Sequence, residues 1–169
     1  SNGSFLEKLL IRNPNLKGLV FDLPNVIEGA RPIWATKPKP LQTRVSFVEG
    51  DFFEPSTIPN LPARSAFVLR NILHDWPDSD CEKILSNLRH AMPLTDSSLI
   101  LIELGLGFDS RQHVLEQARS TIDMLMMSMF DGKERTQSQF EALFRKAGFE
   151  LSKVRSTRSI AQVIEARPA

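Results

Sequence analysis

The chain has 169 residues, of which 41% are hydrophobic and 24% charged, the balance of a folded globular protein rather than of a disordered one. A net charge of +1, from 21 basic and 20 acidic residues, gives neither the basic field that nucleic-acid binding needs nor an acidic tail. The single cysteine, Cys81, has no partner for an internal disulfide, the apolar run "LILIELGLGF" is shorter than a membrane span and carries Glu103, and no secretory signal is visible, so one domain, residues 1–169, in a reducing, cytoplasmic compartment is expected.

In chain order, Ser4 to Arg12 places Phe5, Leu6, Leu9 and Leu10 on one helical face, and "NPN" at 13–15 stops that helix. "LKGLVFDL", 16–23, predicts a short buried strand ending at Asp22, after which "PNVIEGA" turns away. "RPIWATKPKPLQT" holds three prolines and three basic residues and predicts an exposed connection. "RVSFVEGDFF", 44–53, is the second predicted strand, followed by a proline-rich loop; "SAFVLRNIL", 65–73, is the third. Ser79 with Glu82 three residues later predicts a capping box, opening a helix striped with Ile84, Leu85, Leu88 and Met92. "SSLILIEL", 97–104, predicts a fourth strand, and residues 111–130 a long helix. A second capping box, Thr136 with Gln139, precedes a helix carrying Phe140, Leu143, Phe144 and Ala147 and closed by Gly148. "LSKVRSTR" and "AQVIEAR" predict a closing hairpin.

Strands alternating with helices predict an α/β fold with a mostly parallel sheet. Ligands bind such sheets beyond the carboxyl ends of the strands. Asp22, Asp51, His74 and Glu103 all fall at predicted carboxyl ends, so four ionisable groups are expected on one rim. Gly3 closes what would be a glycine-rich turn before a helix, and Asp22 follows 19 positions later at the next strand end, the spacing of an acid that accepts from ribose hydroxyls. Asp51 in "EGDFF" reads equally as a turn residue or, with Phe52, as the polar contact and apolar face beside an adenine. His74 has a side chain that titrates near neutrality, as a general base requires. Glu103 ends a run of four apolar residues, where an unpaired carboxylate is costly, and His74 on the neighbouring strand is its natural partner. Glu134, in "DGKERT", reads from its own surroundings as a solvated loop charge. Four of the five methionines crowd into "MLMMSMF", 124–130; core packing is the commoner use, and a pocket for a flat apolar ligand is the other. No His/Cys/Asp cluster has zinc-ligand spacing, and no nucleophile elbow or phosphate-binding loop occurs, so no metal is expected.

In this order, "LKGLVFDLPNVI", "VEGDFF", "ILHDWPDSDCEKIL", "LILIE" and "DGKERTQSQFEALFRKAGF" resemble the S-adenosylmethionine-dependent O-methyltransferases of the plant and fungal small-molecule type, such as the caffeic acid, flavonoid and sterigmatocystin O-methyltransferases, over nearly the whole chain. The resemblance implies a Rossmann-like methyltransferase sheet with flanking helices and a carboxyl-terminal antiparallel hairpin, with S-adenosylmethionine as cofactor. It implies that Gly3 and Asp22 meet the cofactor, Asp22 at the ribose, and that Asp51 and Phe52 frame the adenine, where many relatives have methionine in place of Phe52. Arg70 stands where the family has a cofactor-contacting lysine, keeping the charge with a different geometry. His74 would be the general base, flanked and oriented by Glu103 and Glu134. Asn71, Asp75 and Trp76 would shape the acceptor site, with Met124 and Met127 lining it; Asn71 stands where plant members often carry tryptophan and fits a fungal-type relative better. A phenolic hydroxyl of a small aromatic acceptor would lose its proton to His74 as its oxygen attacks the sulfonium methyl. A phenol pKa of about 10 against an imidazole near ~6.5 favours proton transfer coupled to attack.

Against the family pattern, the glycine-rich turn is cut to "SNG" and the first strand and the amino-terminal dimerisation domain, through which full-length relatives would be homodimers, are missing. The chain opens without methionine, at the edge of a helix, and a fragment or processed product is expected. The absent strand would lie between those ending at Asp22 and His74, leaving a gap in mid-sheet. Three readings follow: the catalytic part of an O-methyltransferase, a non-catalytic remnant acting as a binding module, or a nicotinamide-dependent dehydrogenase. "ILHDW" and "GKERT" count against the last, and a chain with no tyrosine excludes the Tyr-Lys dehydrogenase mechanism.

Overall fold

The computed structural model describes residues 1–93, 96–105, 133–157, 159 and 161–169. The helix expected over 111–130, with Met124 and Met127, lies outside the described residues. The chain forms two compact units, Ser1–Pro59 and Asn60–Ala169.

In the first unit, α1 (Ser4–Arg12) leads into β1 (Gly18–Asp22), then α2 (Pro24–Ala35), the single-turn α3 (Lys39–Gln42) and β2 (Val45–Glu49). β1 and β2 pair in parallel, Gly18 opposite Val45 and Asp22 opposite Glu49. The stretch expected to be a turn and an exposed connection is therefore helical. Its prolines sit where helices accept them: Pro24 occupies the first turn of α2, Pro38 caps α3, and Pro40 lies in the first turn of α3, where no intrahelical N–H is required. Pro32 alone lies inside a helix. Ile27, Ala30 and Trp34 face inward at helical spacing. Trp34 joins Leu10 and Leu41 in a core to which Leu6, Val45 and Phe47 add their flanks, with the Trp34 and Phe47 rings edge to face at 5.9 Å. The Arg44 guanidinium closes the unit at its other end, donating through Nη1 to the carbonyls of Leu10, Asn13 and Leu16.

Gly3 precedes α1 in the left-handed region, φ +76°, and a Cβ there would lie 2.8 Å from Trp34 Nε1 and 3.0 Å from Val20 Cγ2. Trp34 Nε1 meanwhile donates to the Asn2 carbonyl at 2.9 Å. Both conformation and space demand glycine. Gly3→Ala is expected to destabilise this unit by about 1–3 kcal/mol, measurable by denaturant unfolding followed through Trp34 fluorescence; an unchanged midpoint would show that the turn relaxes around the methyl group.

In the second unit, β3 (Ala66–Arg70) is followed by a 3-10 turn at Leu73–Asp75, α4 (Asp78–Ala91), β4 (Ser98–Glu103), α5 (Gln137–Lys146), β5 (Phe149–Ser156) and β6 (Gln162–Pro168). The sheet order is β3-β4-β6-β5. β3 and β4 are parallel, whereas β6 runs antiparallel to both β4 and β5, the closing hairpin expected from the sequence. The described strands form two sheets, β1-β2 in the first unit and β3-β4-β6-β5 in the second. β3 is an edge strand among the described residues, and Ala66, Val68 and Arg70 are exposed on it, where the sequence predicts a buried strand.

α4 buries Cys81, Ile84, Leu85, Leu88 and Ala91. Its expected Ser79 cap is not formed: the helix begins one residue earlier, at Asp78, and the Pro77 carbonyl takes the amides of Asp80 and Cys81. The Thr136–Gln139 capping box is formed reciprocally. α5 turns Phe140, Leu143 and Phe144 inward, Phe144 meets Phe149 edge to face at 6.4 Å, and Gly148 ends the helix at φ +76°. On β4, Leu99, Leu101 and Glu103 share the buried face. The apolar alternation that buries two leucines buries a carboxylate at the strand's carboxyl end.

Candidate active site

His74 sits on the 3-10 turn four residues beyond the end of β3, rather than on the strand itself. Asn71 makes the turn possible. It adopts φ +51°, a region that asparagine tolerates, and its amide still donates to Ile102 of β4 at 3.0 Å. Asn71 itself is exposed, as is Arg70 at the end of β3.

Three carboxylates surround the imidazole. Glu134 Oε1 lies 3.1 Å from His74 Nδ1 in a hydrogen bond. Glu103 Oε2 lies 4.0 Å from the same nitrogen, and Asp75 Oδ1 lies 3.3 Å from Nε2. The Glu103 and Glu134 side chains are each 1% exposed, against 14% for His74. Glu134 is therefore no solvated loop charge, contrary to what its neighbours in sequence suggest. The hydrogen bond to Glu134 raises the His74 pKa above 6.5, burial works against it, and Glu103 and Asp75 add to the rise.

Glu103 does two jobs. Its Oε1 accepts from the amides of Ile72 and Leu73 at 2.9 and 3.0 Å, which anchors the turn, while Oε2 faces His74. Burial pushes its pKa up to about 7 against the pull of those two amides and of His74. In the β4–β6 ladder Gln162 stands opposite Glu103, fully buried, with neither amide atom hydrogen-bonded among the described residues.

Sequence reasoning passed over Arg135. It is 1% exposed and among the largest fully buried side chains. Its guanidinium reaches the carbonyls of Leu73 and Trp76 and the carboxylate of Asp78. Lys133 also binds Asp78, at 2.8 Å. Burial would raise the Asp78 pKa, but these two cations outweigh it and hold it below the usual carboxylate value. The only warning in the sequence was a charged pair, Glu134-Arg135, directly ahead of a capped helix. Trp76 is half-buried, and its carbonyl, like that of Leu73, also receives the Cys81 thiol. Burial pushes that thiol up to about 11, so it stays protonated.

In the first unit, Asp22 ends β1 and Asp51 follows β2 by two residues, with the Gly50 amide donating to the Asp22 carbonyl at 3.0 Å. Asp22 Oδ1 accepts from the Leu23 amide at 2.8 Å, and Oδ2 pairs with the amino terminus. Asp51 Oδ1 accepts from the Phe53 amide at 2.9 Å, the turn role weighed above. Phe52 is half-buried, its ring 5.0 Å from that of Phe53. Acceptor-only carboxylates at adjacent strand ends, beside a half-buried aromatic face, are a donor-seeking set that fits the hydroxyls and exocyclic amine of an adenosine. Gly3, Asp22, Asp51 and Phe52 thus belong to one unit, and His74, Asp75, Trp76, Glu103 and Glu134 are brought together in the other.

A family profile described as the O-methyltransferase domain matches residues 1–150. The chain belongs to the O-methyltransferase family. It is 37% identical over 164 residues to myricetin 3-O-methyltransferase 3 of Solanum habrochaites, covering 96% of this chain and 41% of the relative. The fold is similar to that of mitomycin 7-O-methyltransferase, with TM-score 0.84 and 30% identity over 99% of this chain and 46% of that one. It is also similar to a methyltransferase of calicheamicin biosynthesis in its S-adenosylhomocysteine-bound form, with TM-score 0.82, 30% identity and the same coverage. This O-methyltransferase chain spans less than half the length of these relatives.

Proposed function

We propose that the chain is the catalytic part of an S-adenosylmethionine-dependent O-methyltransferase in which His74 takes the proton from a hydroxyl of a small aromatic acceptor. The observation that carries the reading is the imidazole between carboxylates. With Nδ1–H donated to Glu134, the lone pair of the neutral ring is on Nε2, where a hydroxyl proton can be accepted. Once Nε2 is protonated, the charge is met by Glu134 and Glu103 on one side and Asp75 on the other. Relatives named for myricetin and mitomycin support a small-molecule acceptor.

Gly3, Asp22, Asp51 and Phe52 would hold the cofactor, whose sulfonium supplies an electrophilic methyl group, with Arg70 as a further cofactor contact. Asn71, Asp75, Trp76, Met124 and Met127 would line the acceptor. No metal is needed in this scheme, because the acceptor oxygen is activated by loss of its proton to His74. Because opposite charges cancel as the oxygen meets the sulfonium, alignment of the two reactants should supply most of the acceleration. A cytoplasmic setting belongs to the same proposal.

Calorimetric titration with S-adenosylhomocysteine is the test, on this chain and on a longer chain carrying the strand and glycine-rich turn of the family ahead of it. Binding by either form, with NAD silent, supports the reading, and methyl transfer to phenols from labelled S-adenosylmethionine then follows. Silence of both forms overturns it in favour of the non-catalytic remnant.

A further inference from the structure

We propose that Arg135 is a positioning residue that sets His74 against Glu134 by clamping the carbonyls on either side of the His74–Asp75 pair. Nη1 donates to the Leu73 carbonyl at 2.7 Å and Nη2 to the Trp76 carbonyl at 2.8 Å. Leu73 and Trp76 bracket the pair, so one planar group fixes both ends of the segment that carries the imidazole. Nε donates to Asp78 Oδ1 at 2.9 Å, and Nη2 lies 2.8 Å from the same oxygen. This charge-assisted contact locks the plane of the fork to the start of α4. Arg135 is also the covalent neighbour of Glu134, so the guanidinium ties the histidine-bearing turn directly to the segment that presents the carboxylate. The Ile72 and Leu73 amides donate to Glu103 Oε1. The turn is thereby held through its N–H groups by a carboxyl acceptor and through its C=O groups by a guanidinium donor.

Burial makes the clamp demanding. At 1% exposure a guanidinium is tolerated only with its donors satisfied, so its geometry is narrowly defined. A lysine, with one rotatable point of charge, cannot span two carbonyls and a carboxylate in a plane. This assignment rests on the reading of His74 as the base, but its test does not require methyl transfer.

The test is an NMR titration of the imidazoles. The chain has three histidines, His74, His90 and His113, and His90→Gln and His113→Gln identify the His74 signal. The charged and titratable groups around this turn are Glu134, Glu103, Asp75, Arg135, Asp78, Lys133 and the Cys81 thiol. Positioning and simple charge predict opposite signs. Loss of a nearby positive charge would raise the His74 pKa, whereas drift of the turn away from Glu134 lowers it. In Arg135→Met and Arg135→Lys the His74 pKa is expected to fall toward 6.5. Arg135→Lys keeps the charge and decides the matter should the methionine variant fail to fold. A His74 pKa unchanged or raised in a folded variant overturns the proposal. In an active form, the same variants should lose roughly tenfold to hundredfold in kcat with little change in cofactor binding. If the pKa shift appears without methyl transfer in the parent, the clamp stands and the assigned reaction falls.

Discussion

Replacing His74 with glutamine is expected to lower kcat by roughly 10²–10⁴-fold while leaving S-adenosylhomocysteine binding in place. The imidazole is the proton acceptor in the proposed step, whereas the cofactor is assigned to other residues, Gly3, Asp22, Asp51, Phe52 and Arg70. The pH profile carries a second check. A base must be deprotonated to work, so kcat/KM should rise with pH through the His74 pKa. The hydrogen bond to Glu134 raises that pKa, helped by Glu103 and Asp75 against burial, which places the rising limb above pH 6.5 in the parent. Glu134→Gln removes the principal cause and should move the limb down toward 6.5. Steady-state rates across pH with a phenolic acceptor read both effects. A His74→Gln variant that keeps more than about a tenth of the parent kcat would remove the histidine from the proton transfer.

Glu103→Gln should act in opposite directions on stability and rate. Burial raises the carboxyl from 4.5 to about 7, so between these values the folded chain holds a proton that the unfolded chain gives up. Stability contributed by this group is therefore full below pH 4.5, declines as pH rises, and levels off above 7 at a penalty of about 3 kcal/mol. Glutamine is neutral and escapes the penalty, and its carbonyl oxygen can still accept from the Ile72 and Leu73 amides. Denaturant unfolding should show Glu103→Gln equal to the parent near pH 4.5 and more stable by up to about 3 kcal/mol at pH 8. The rate should nevertheless fall, because an anionic neighbour of the imidazolium is lost. A variant less stable than the parent at pH 8 would mean that Glu103 is held ionised by its partners and that burial does not dominate.

Several elements could be read directly. Thr136 and Gln139 bond reciprocally because the capping box is a local motif whose partners are three residues apart. Gly148 ends α5 for the same local reason. The region of α2 and α3 is helical despite its prolines because Pro24, Pro38 and Pro40 stand at helix starts, and the inward Ile27, Ala30 and Trp34 stripe gives the helix its reason to form. Ser79 failed as a cap because Asp78 had already entered the helix, with its carboxylate held by Lys133 and Arg135 from a distant part of the chain.

The sequence by itself determined the alternation of strands and helices, the placing of Asp22, Asp51, His74 and Glu103 at or just beyond strand ends, and the motif order that marks the O-methyltransferase family. These follow from periodicity and from contacts within a few residues. Only the tertiary structure decided the surroundings of the imidazole. Glu134 lies 60 positions from His74 and Arg135 lies 62 from Leu73; in a linear reading both look like charges in a polar loop. Their burial comes from packing that brings the segment ahead of α5 onto the turn after β3. Once water is excluded there, a charged side chain must find partners, and the partners it finds are the groups that hold the histidine.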